Sequence, residues 1–184
     1  MAKILGIYRH AKSDWGDGAA RDFDRGLNGR GEKGAHLMGD HIRAHGIEWD
    51  LVIASPAVRV KDTLKIGVPE MTVIYDDRLY LASPDTIIEV VQTHAAHFAE
   101  EHGEDAETIL VSGHNPGLQE TILELVSPSH ETDLFREAAV KFPTAGYAVL
   151  ECNVESWSAV KKFCAKLTHF TRPRDLDPDL GPGG

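Results

Sequence analysis

Short apolar runs that stop abruptly at polar or charged residues recur along the chain. Four of them cover residues 4–8, 51–54, 72–75 and 108–112. A strand inside a parallel sheet is covered on both faces, so an uninterrupted apolar run of this length predicts such a strand. Two weaker runs, at residues 147–151 and 165–170, predict two further strands.

Segments with a helical period alternate with these runs. Asn28 and Ser83 are N-capping residues that begin two of the predicted helices. After the second run, Ser55 and Pro56 predict an N-cap followed by a proline at the first helical position, which places Arg59 in the first turn of a helix. A fourth apolar stripe follows the run at 108–112.

The alternation of strands and helices predicts the fold class. Strand followed by helix, several times over, indicates an α/β three-layer sandwich with a mostly parallel central sheet and helices on both faces. The 184 residues, 42% of them hydrophobic, suit a single domain with a packed core, here predicted over residues 1–170. The tail, residues 171–184, is rich in proline, glycine and aspartate and is expected to be mobile unless it packs on the body of the domain.

The charge balance excludes several classes of partner. A net charge of -10 repels nucleic acid and anionic membranes, so neither is an expected partner. The apolar run at residues 4–8 is too short for a signal peptide or a membrane span. Two cysteines, Cys152 and Cys164, suit free thiols in a reducing compartment, and a cytoplasmic location is expected.

Three of the predicted strands end in residues that carry chemistry. Arg9 and His10 follow the first strand, Ser55 to Arg59 follow the second, and His114 follows the fourth. Ligands of open α/β sheets gather at the carboxyl ends of the strands, so these side chains are expected to form one cationic cluster. A single histidine after a strand is more often structural than nucleophilic, and position alone does not assign a role to His10.

Four short motifs give the strand ends a more specific meaning. They are Tyr-Arg-His-Ala-Lys-Ser at 8–13, Ser-Pro-Ala-Val-Arg at 55–59, Leu-Tyr at 79–80 and Gly-His-Asn-Pro-Gly at 113–117. In this order they resemble the histidine phosphatase superfamily, and within it the phosphohistidine phosphatases of the SixA type. The resemblance implies a phosphatase that works without a metal or another cofactor. In such an enzyme His10 takes the phosphoryl group before water removes it.

The resemblance also implies roles for the neighbours of His10. Arg9, Arg59 and His114 would surround the phosphate. Guanidinium charge disfavours protonation of a nearby imidazole, so both arginines would keep His10 ready to attack. Guanidinium groups also match the oxygens of a phosphoryl group in transfer, and Asn115 is expected to add a further donor.

Three other residues are weaker candidates for the site. Asp77 lies near the position where many relatives carry a glutamate and is the candidate general acid, although a solvated turn carboxylate is an equally good interpretation. Ser13 and Arg25 are candidate substrate contacts from a long loop, where solvated positions are common. Phosphoglycerate mutase relatives have an asparagine where this chain has Gly16, which argues against a mutase.

The sequence leaves two classes of substrate and one non-enzymatic function as alternatives. The resemblance implies a phosphorylated protein, such as the phosphohistidine domain of a phosphorelay. A small phosphomonoester is the alternative substrate, and a phosphate-binding module without turnover is the alternative function. His41 and His45 are four residues apart on a predicted helix, but the sequence offers no third ligand, so no metal site is predicted.

Overall fold

The structure, a computed structural model, describes residues 2–16, 18 and 20–181. Its centre is a six-stranded mixed sheet in the order β3-β2-β4-β1-β5-β6. The strands are β1 (Lys3–Arg9), β2 (Leu51–Ala54), β3 (Ile74–Tyr75), β4 (Thr108–Gly113), β5 (Tyr147–Cys152) and β6 (Ala165–Thr171). The first four strands are mutually parallel, β5 is antiparallel to β1, and β6 is antiparallel to β5.

Helices cover both faces of this sheet, which confirms the predicted α/β fold. They are α1 (Gly29–His45), α2 (Val58–Gly67), α3 (Pro84–His102), α4 (Gly117–Leu125), α5 (Asp133–Val140) and α6 (Pro173–Leu176). One hydrophobic cluster joins α1 and α2 to one face of the sheet. A second cluster joins α3, α4 and α5 to the opposite face. The two clusters make the chain a three-layer sandwich.

Capping explains where two of the predicted helices begin. The side chain of Asn28 accepts a hydrogen bond from the Gly31 amide at the start of α1, and Ser83 does the same for Thr86 at the start of α3. Helix α2 differs from the prediction because it begins at Val58 rather than directly after Ser55. The Ser55 hydroxyl does not cap α2, and its strongest contact lies in the site described below.

Close backbone contact fixes α2 against α1. A Cβ atom on Gly39 would lie 2.0 Å from the Gly67 carbonyl oxygen, so only glycine allows the two helices to approach this closely. The several glycines of α1 weaken its intrinsic helical propensity, and this contact shows what they provide instead. Because α2 carries Arg59 in its first turn, the contact also helps to place Arg59.

Other elements depart from the sequence pattern. The third strand contains two residues rather than four, and α5 was not predicted at all. In the C-terminal segment, α6 is followed by a buried Leu180, and Asp177 forms an ion pair with Lys33 at 2.7 Å. Residues 182–184 lie outside the described part of the chain.

Both cysteines are free thiols, as predicted. Among the described residues no helix is long and apolar enough to cross a membrane.

Candidate active site

Backbone pairing at the carboxyl edge of the sheet brings the three strand ends together. Arg9 lies opposite Gly113 in the β1–β4 register, and the His10 amide donates to the Gly113 carbonyl at 3.1 Å. On the other side of β4, the Ser55 amide donates to the Ser112 carbonyl at 3.0 Å. The motifs that are far apart in sequence are therefore adjacent in the fold.

His10 is a buried, neutral imidazole with one nitrogen available. Its side chain is 6% exposed, and Nδ1 lies 2.7 Å from the Ala11 carbonyl oxygen. A carbonyl oxygen only accepts, so Nδ1 carries the proton and the lone pair is on Nε2. Burial, followed by the charge of Arg9, lowers the pKa of His10 to about 3, even though the Ala11 hydrogen bond acts in the opposite direction. A neutral imidazole with an unprotonated nitrogen has the protonation state that a nucleophile requires at neutral pH.

Arg59 is the most connected side chain of the cluster. It is 3% exposed, and its Nε lies 3.4 Å from Nε2 of His10. One terminal nitrogen donates to the backbone oxygen of Asp22 at 2.7 Å. The other contacts the Asp22 carboxylate at 3.1 Å and Nδ1 of His114 at 3.2 Å. This guanidinium therefore joins both histidines of the site.

Arg9 and His114 complete the set that the sequence predicted around His10. Arg9 donates to the Phe142 carbonyl at 3.1 Å, and burial together with the charge of Arg59 lowers its pKa to about 10, which leaves it charged at neutral pH. His114 lies 2.8 Å from the Ser55 hydroxyl through Nε2. Burial and the charge of Arg59 lower the pKa of His114 to about 3, so this imidazole is neutral as well.

Asp22 is a member of the cluster that sequence reasoning missed. Its carboxylate accepts hydrogen bonds from Arg25 at 2.6 Å, from Arg59 at 3.1 Å and from the hydroxyl of Tyr80. The Tyr80 hydrogen bond and the Arg59 charge lower the pKa of Asp22 to about 2, so the carboxylate is ionised at neutral pH. An anion that binds to Arg59 therefore shares it with an internal carboxylate.

Thr63 is a second residue that the sequence did not reveal. It lies one helical turn after Arg59, and its hydroxyl donates to the Arg59 carbonyl at 2.7 Å. The hydroxyl oxygen of Thr63 also accepts a hydrogen bond from the Ala11 amide at 2.9 Å. This buried hydroxyl links the backbone next to His10 to the backbone of Arg59, so it fixes the position of His10 relative to Arg59.

The other predicted site residues differ in how closely they are connected to the cluster around His10. Arg25 joins the cluster through Asp22, and its guanidinium covers the ring of Trp15 at 3.5 Å. The Asn115 amide donates to the Phe142 carbonyl at 2.8 Å, so Asn115 and Arg9 share that acceptor. Ser13 is buried in a bridge with Leu27, and no hydrogen bond among the described residues joins its side chain to His10.

Asp77 lies apart from this hydrogen-bonded network. Its side chain is exposed in a short 3-10 turn, Asp77–Leu79, and no hydrogen bond within the described ranges links it to His10, Arg59 or His114. The preceding Asp76 accepts hydrogen bonds from Arg78 and His94 instead. The role of Asp77 as general acid stays a prediction.

Comparison with known proteins assigns the family. The model for the histidine phosphatase superfamily, branch 1, matches residues 5–80. The structure of the SixA protein of Nakamurella multipartitia, assigned as a phosphohistidine phosphatase, is 30% identical and superposes with a TM-score of 0.79, covering 94% of this chain and 97% of that one. The chain belongs to the histidine phosphatase superfamily. Membership implies a phosphatase, which is a hydrolase of phosphorylated substrates.

Two further relatives extend this comparison. An uncharacterized protein of Mycobacterium tuberculosis, Rv1276c, is 36% identical over 167 residues, which cover 90% of this histidine phosphatase and 99% of the relative. The protein histidine phosphatase SixA complexed with tungstate matches with a TM-score of 0.71 at 20% identity, covering 95% and 99% of the two chains. At that identity the match shows the shared fold.

A group of three histidines lies elsewhere in this histidine phosphatase. His169 on β6 lies against His41 and His45 of α1, with 2.8 Å between Nε2 of His41 and Nε2 of His169. The rings stack on one another rather than directing three lone pairs at one point. Across residues 2–16, 18 and 20–181 there is no group of three or more histidine, cysteine, aspartate or glutamate side chains arranged to hold a metal ion.

The buried neutral histidines of this histidine phosphatase predict a pH-dependent stability. In the unfolded chain His10 and His114 bind protons below about pH 6.5, whereas in the folded chain their pKa values are about 3. The unfolded state therefore binds more protons between these values, and the free energy of unfolding is expected to fall as the pH falls from about 6.5. Urea unfolding of the wild type and of His114→Gln at pH 7.5, 6 and 5 checks this. Equal pH dependence of the two proteins would contradict it.

Proposed function

We propose that this histidine phosphatase removes the phosphoryl group from phosphohistidine on a protein, without a metal, through a phosphorylated His10. The observation that supports the proposal most directly is the unprotonated Nε2 of a neutral His10, which accepts a hydrogen bond from Nε of the Arg59 guanidinium at 3.4 Å. The two free thiols support a reaction in the cytoplasm.

The first half of the proposed reaction transfers the phosphoryl group to His10. Nε2 of His10 attacks phosphorus, the bond from phosphorus to the leaving nitrogen breaks, and its electron pair stays with the leaving imidazole. Negative charge spreads over the three phosphoryl oxygens during this step, and the charges of Arg9 and of the buried Arg59 stabilise it. Positioning and charge neutralisation then supply most of the rate enhancement.

A change of tautomer allows His114 to donate a hydrogen bond to the phosphoryl group. Without an anion, its Nδ1 accepts from Arg59 and its Nε2 faces the Ser55 hydroxyl. A hydroxyl can donate as well as accept, so Ser55 also suits the tautomer in which Nε2 is the acceptor. In that tautomer Nδ1 of His114 carries a proton and donates it in a hydrogen bond to a phosphoryl oxygen. Ser55 therefore allows His114 to change from acceptor to donor without taking on charge.

The second half of the reaction regenerates His10. Water attacks phosphorus, the bond between phosphorus and Nε2 breaks, and the electron pair returns to the imidazole. The proton lost by water goes to solvent or to the departing inorganic phosphate. The hydrogen bond from Nδ1 to the Ala11 carbonyl holds the ring in one orientation during both halves, so the nucleophile does not have to be repositioned.

The leaving group gives a reason to prefer phosphohistidine over a phosphate ester. An imidazole protonated on its second nitrogen leaves as a neutral molecule, whereas an alkoxide requires a proton from an acid in the site. Asp22 is ionised, and burial together with the Asp22 carboxylate raises the pKa of Tyr80, so neither is a strong acid at neutral pH. Asp77 lies outside the hydrogen-bonded cluster. A substrate that needs no internal acid fits this set of side chains best.

The proposal is tested by comparing substrates on the purified protein. A phosphohistidine protein, phosphoserine and phosphotyrosine peptides and small phosphomonoesters are assayed for release of inorganic phosphate. We expect kcat/KM for the phosphohistidine protein to exceed that of each ester by at least about tenfold, because protonation of the leaving group separates the two classes. Higher values for small phosphomonoesters would replace the proposal with the small-molecule alternative. Phosphate binding without turnover of any substrate would indicate a binding module.

A further inference from the structure

A cavity of about 400 Å³ lies beside the His10 cluster and takes no part in the chemistry described so far. Its walls come from the start of α1, the end of α5, residues 143–145, the α6 segment and residues 11–12. This volume is in the range of pockets that bind small organic groups. The cavity is called the basic pocket below, for the reason given next.

The basic pocket concentrates positive charge on an acidic protein. Five cationic side chains line it against one carboxylate, Glu137, although the whole chain has 29 acidic and 19 basic residues. The five are Lys12, Arg30, Lys141, Arg172 and Arg174. Such a reversal of the average charge creates a local positive potential that attracts anions.

The positive side chains of the pocket differ in how they are paired. Arg172 is paired with Asp175 at 3.0 Å and lies 3.8 Å from Glu137. The side chains of Arg30, Lys141 and Arg174, in contrast, form no hydrogen bond or salt bridge with any residue in the described ranges of the chain. Arg30 and Arg174 do lie near enough to Asp177 and Asp175 for their charges to help lower the pKa of these carboxyls. The remaining lining includes apolar surface, notably Val140, which is 85% exposed at the edge of the cavity. An anionic group attached to an apolar body matches this combination.

The basic pocket and the His10 cluster share a wall. Ala11 and Lys12 line the pocket and follow His10 directly in the chain. Ala145, which also lines the pocket, donates its amide to the His10 carbonyl at 2.9 Å. The adjoining Phe142 carbonyl accepts the hydrogen bond from Arg9. The pocket therefore lies directly beside the segment that carries Arg9 and His10.

We propose that the basic pocket binds a second anionic group of the substrate, a carboxylate or a phosphate, while the phosphoryl group to be removed lies at His10. This inference rests on the proposed function, because it concerns the substrate of that site. The second anion contacts Arg30 and Lys141, and the part of the substrate that joins the two anions packs against the apolar lining. The enzyme then prefers substrates with two anionic groups over equally reactive substrates with one.

Matched substrate pairs test this preference. One pair is phenyl phosphate and a carboxylate-bearing phenyl phosphate with equal leaving-group acidity. The other pair is a phosphohistidine peptide with flanking glutamates and the same peptide with flanking glutamines. In the Arg30→Ala/Lys141→Ala variant, we expect the kcat/KM ratio within a pair to fall about tenfold, mainly through KM, because two favourable charge contacts are lost. The pair that responds identifies whether the second anion belongs to a small molecule or to a polypeptide.

A charge-matched control separates local from general electrostatics. Lys65→Ala/Arg136→Ala removes two exposed positive charges from α2 and α5 outside the lining of the pocket. The ratio in this control is expected to stay at the wild-type value. Unchanged ratios in Arg30→Ala/Lys141→Ala for both pairs, with turnover intact, would overturn the inference and leave the proposed function standing.

A binding measurement keeps the inference testable if turnover fails. Non-hydrolysable phosphonates with and without the second carboxylate are titrated into the wild type and into both double variants by calorimetry. We expect the dianionic member to bind at least about tenfold more tightly to the wild type and to lose this advantage in Arg30→Ala/Lys141→Ala. Equal affinities of the two phosphonates for the wild type would contradict the inference. This result does not depend on whether the protein turns over phosphohistidine.

Discussion

His10→Ala is expected to eliminate the phosphoenzyme and to lower turnover by at least about a thousandfold, since loss of a covalent nucleophile removes the whole two-step route. The expectation follows from the position of Nε2, which is unprotonated in the tautomer that the Ala11 hydrogen bond requires and which accepts from Arg59. The measurement is rapid quench with a radiolabelled substrate. A phosphorylated histidine is labile to acid and stable to base, which distinguishes it from a phosphoserine or an acyl phosphate.

The control for this variant is His36→Ala, which changes an exposed histidine of α1. It is expected to retain the phosphoenzyme and turnover of the wild type. The thermal unfolding midpoint of both variants is measured as well, because His10 is buried and its removal leaves a cavity. A folded His10→Ala protein that still forms an acid-labile phosphoenzyme would exclude His10 as the nucleophile.

Arg59→Ala is expected to lower turnover by at least about a hundredfold, by analogy with the loss of one charge-stabilising donor in other enzymes. The expected loss is large because this guanidinium contacts Nε2 of His10 and Nδ1 of His114 at the same time. Its removal also leaves the Asp22 carboxylate with Arg25 and Tyr80 as its remaining partners. Steady-state kinetics with one substrate of the panel measures the effect as a change in kcat and in KM.

Two variants show whether the loss reflects charge or geometry. Arg59→Lys keeps the charge but cannot donate to two oxygens in a fixed plane, so we expect it to recover only part of the activity. Arg78→Ala removes an exposed arginine that is paired with Asp76 and is expected to behave as the wild type. Near-normal activity of a folded Arg59→Ala protein would place Arg59 outside the phosphate site.

The strand ends could be predicted from the sequence because their physical cause is local. An apolar run that stops at Arg9 and His10 indicates a buried strand with polar residues at its end, and parallel strands place such ends along one edge. The caps at Asn28 and Ser83 are local as well, since each side chain bonds an amide three residues later. These patterns lie within a few residues and need no knowledge of the tertiary fold.

Asp22 and Thr63 could not be predicted because their roles depend on distant partners. Asp22 lies in a loop without periodicity, and its carboxylate meets Arg59 37 residues away. The Thr63 hydroxyl meets the amide of Ala11, 52 residues earlier. For Ser55 the local pattern gave a wrong prediction. It indicated a helix cap, whereas the Ser55 hydroxyl lies against His114. In each case a tertiary contact determines what the side chain does.

The carboxylate of Asp22 has a consequence for the charge state of the bound ligand. Arg9, Arg25 and Arg59 lie around the site with Asp22, while both histidines are neutral, so two positive charges remain in excess. A phosphoryl group carries close to two negative charges at neutral pH, and a sulfate ester carries one. A sulfate ester of the same size would leave one positive charge of the cluster uncompensated, which is costly beside the buried Arg59. From the charge of Asp22 we therefore expect the site to bind a dianion more tightly than a monoanion of the same size.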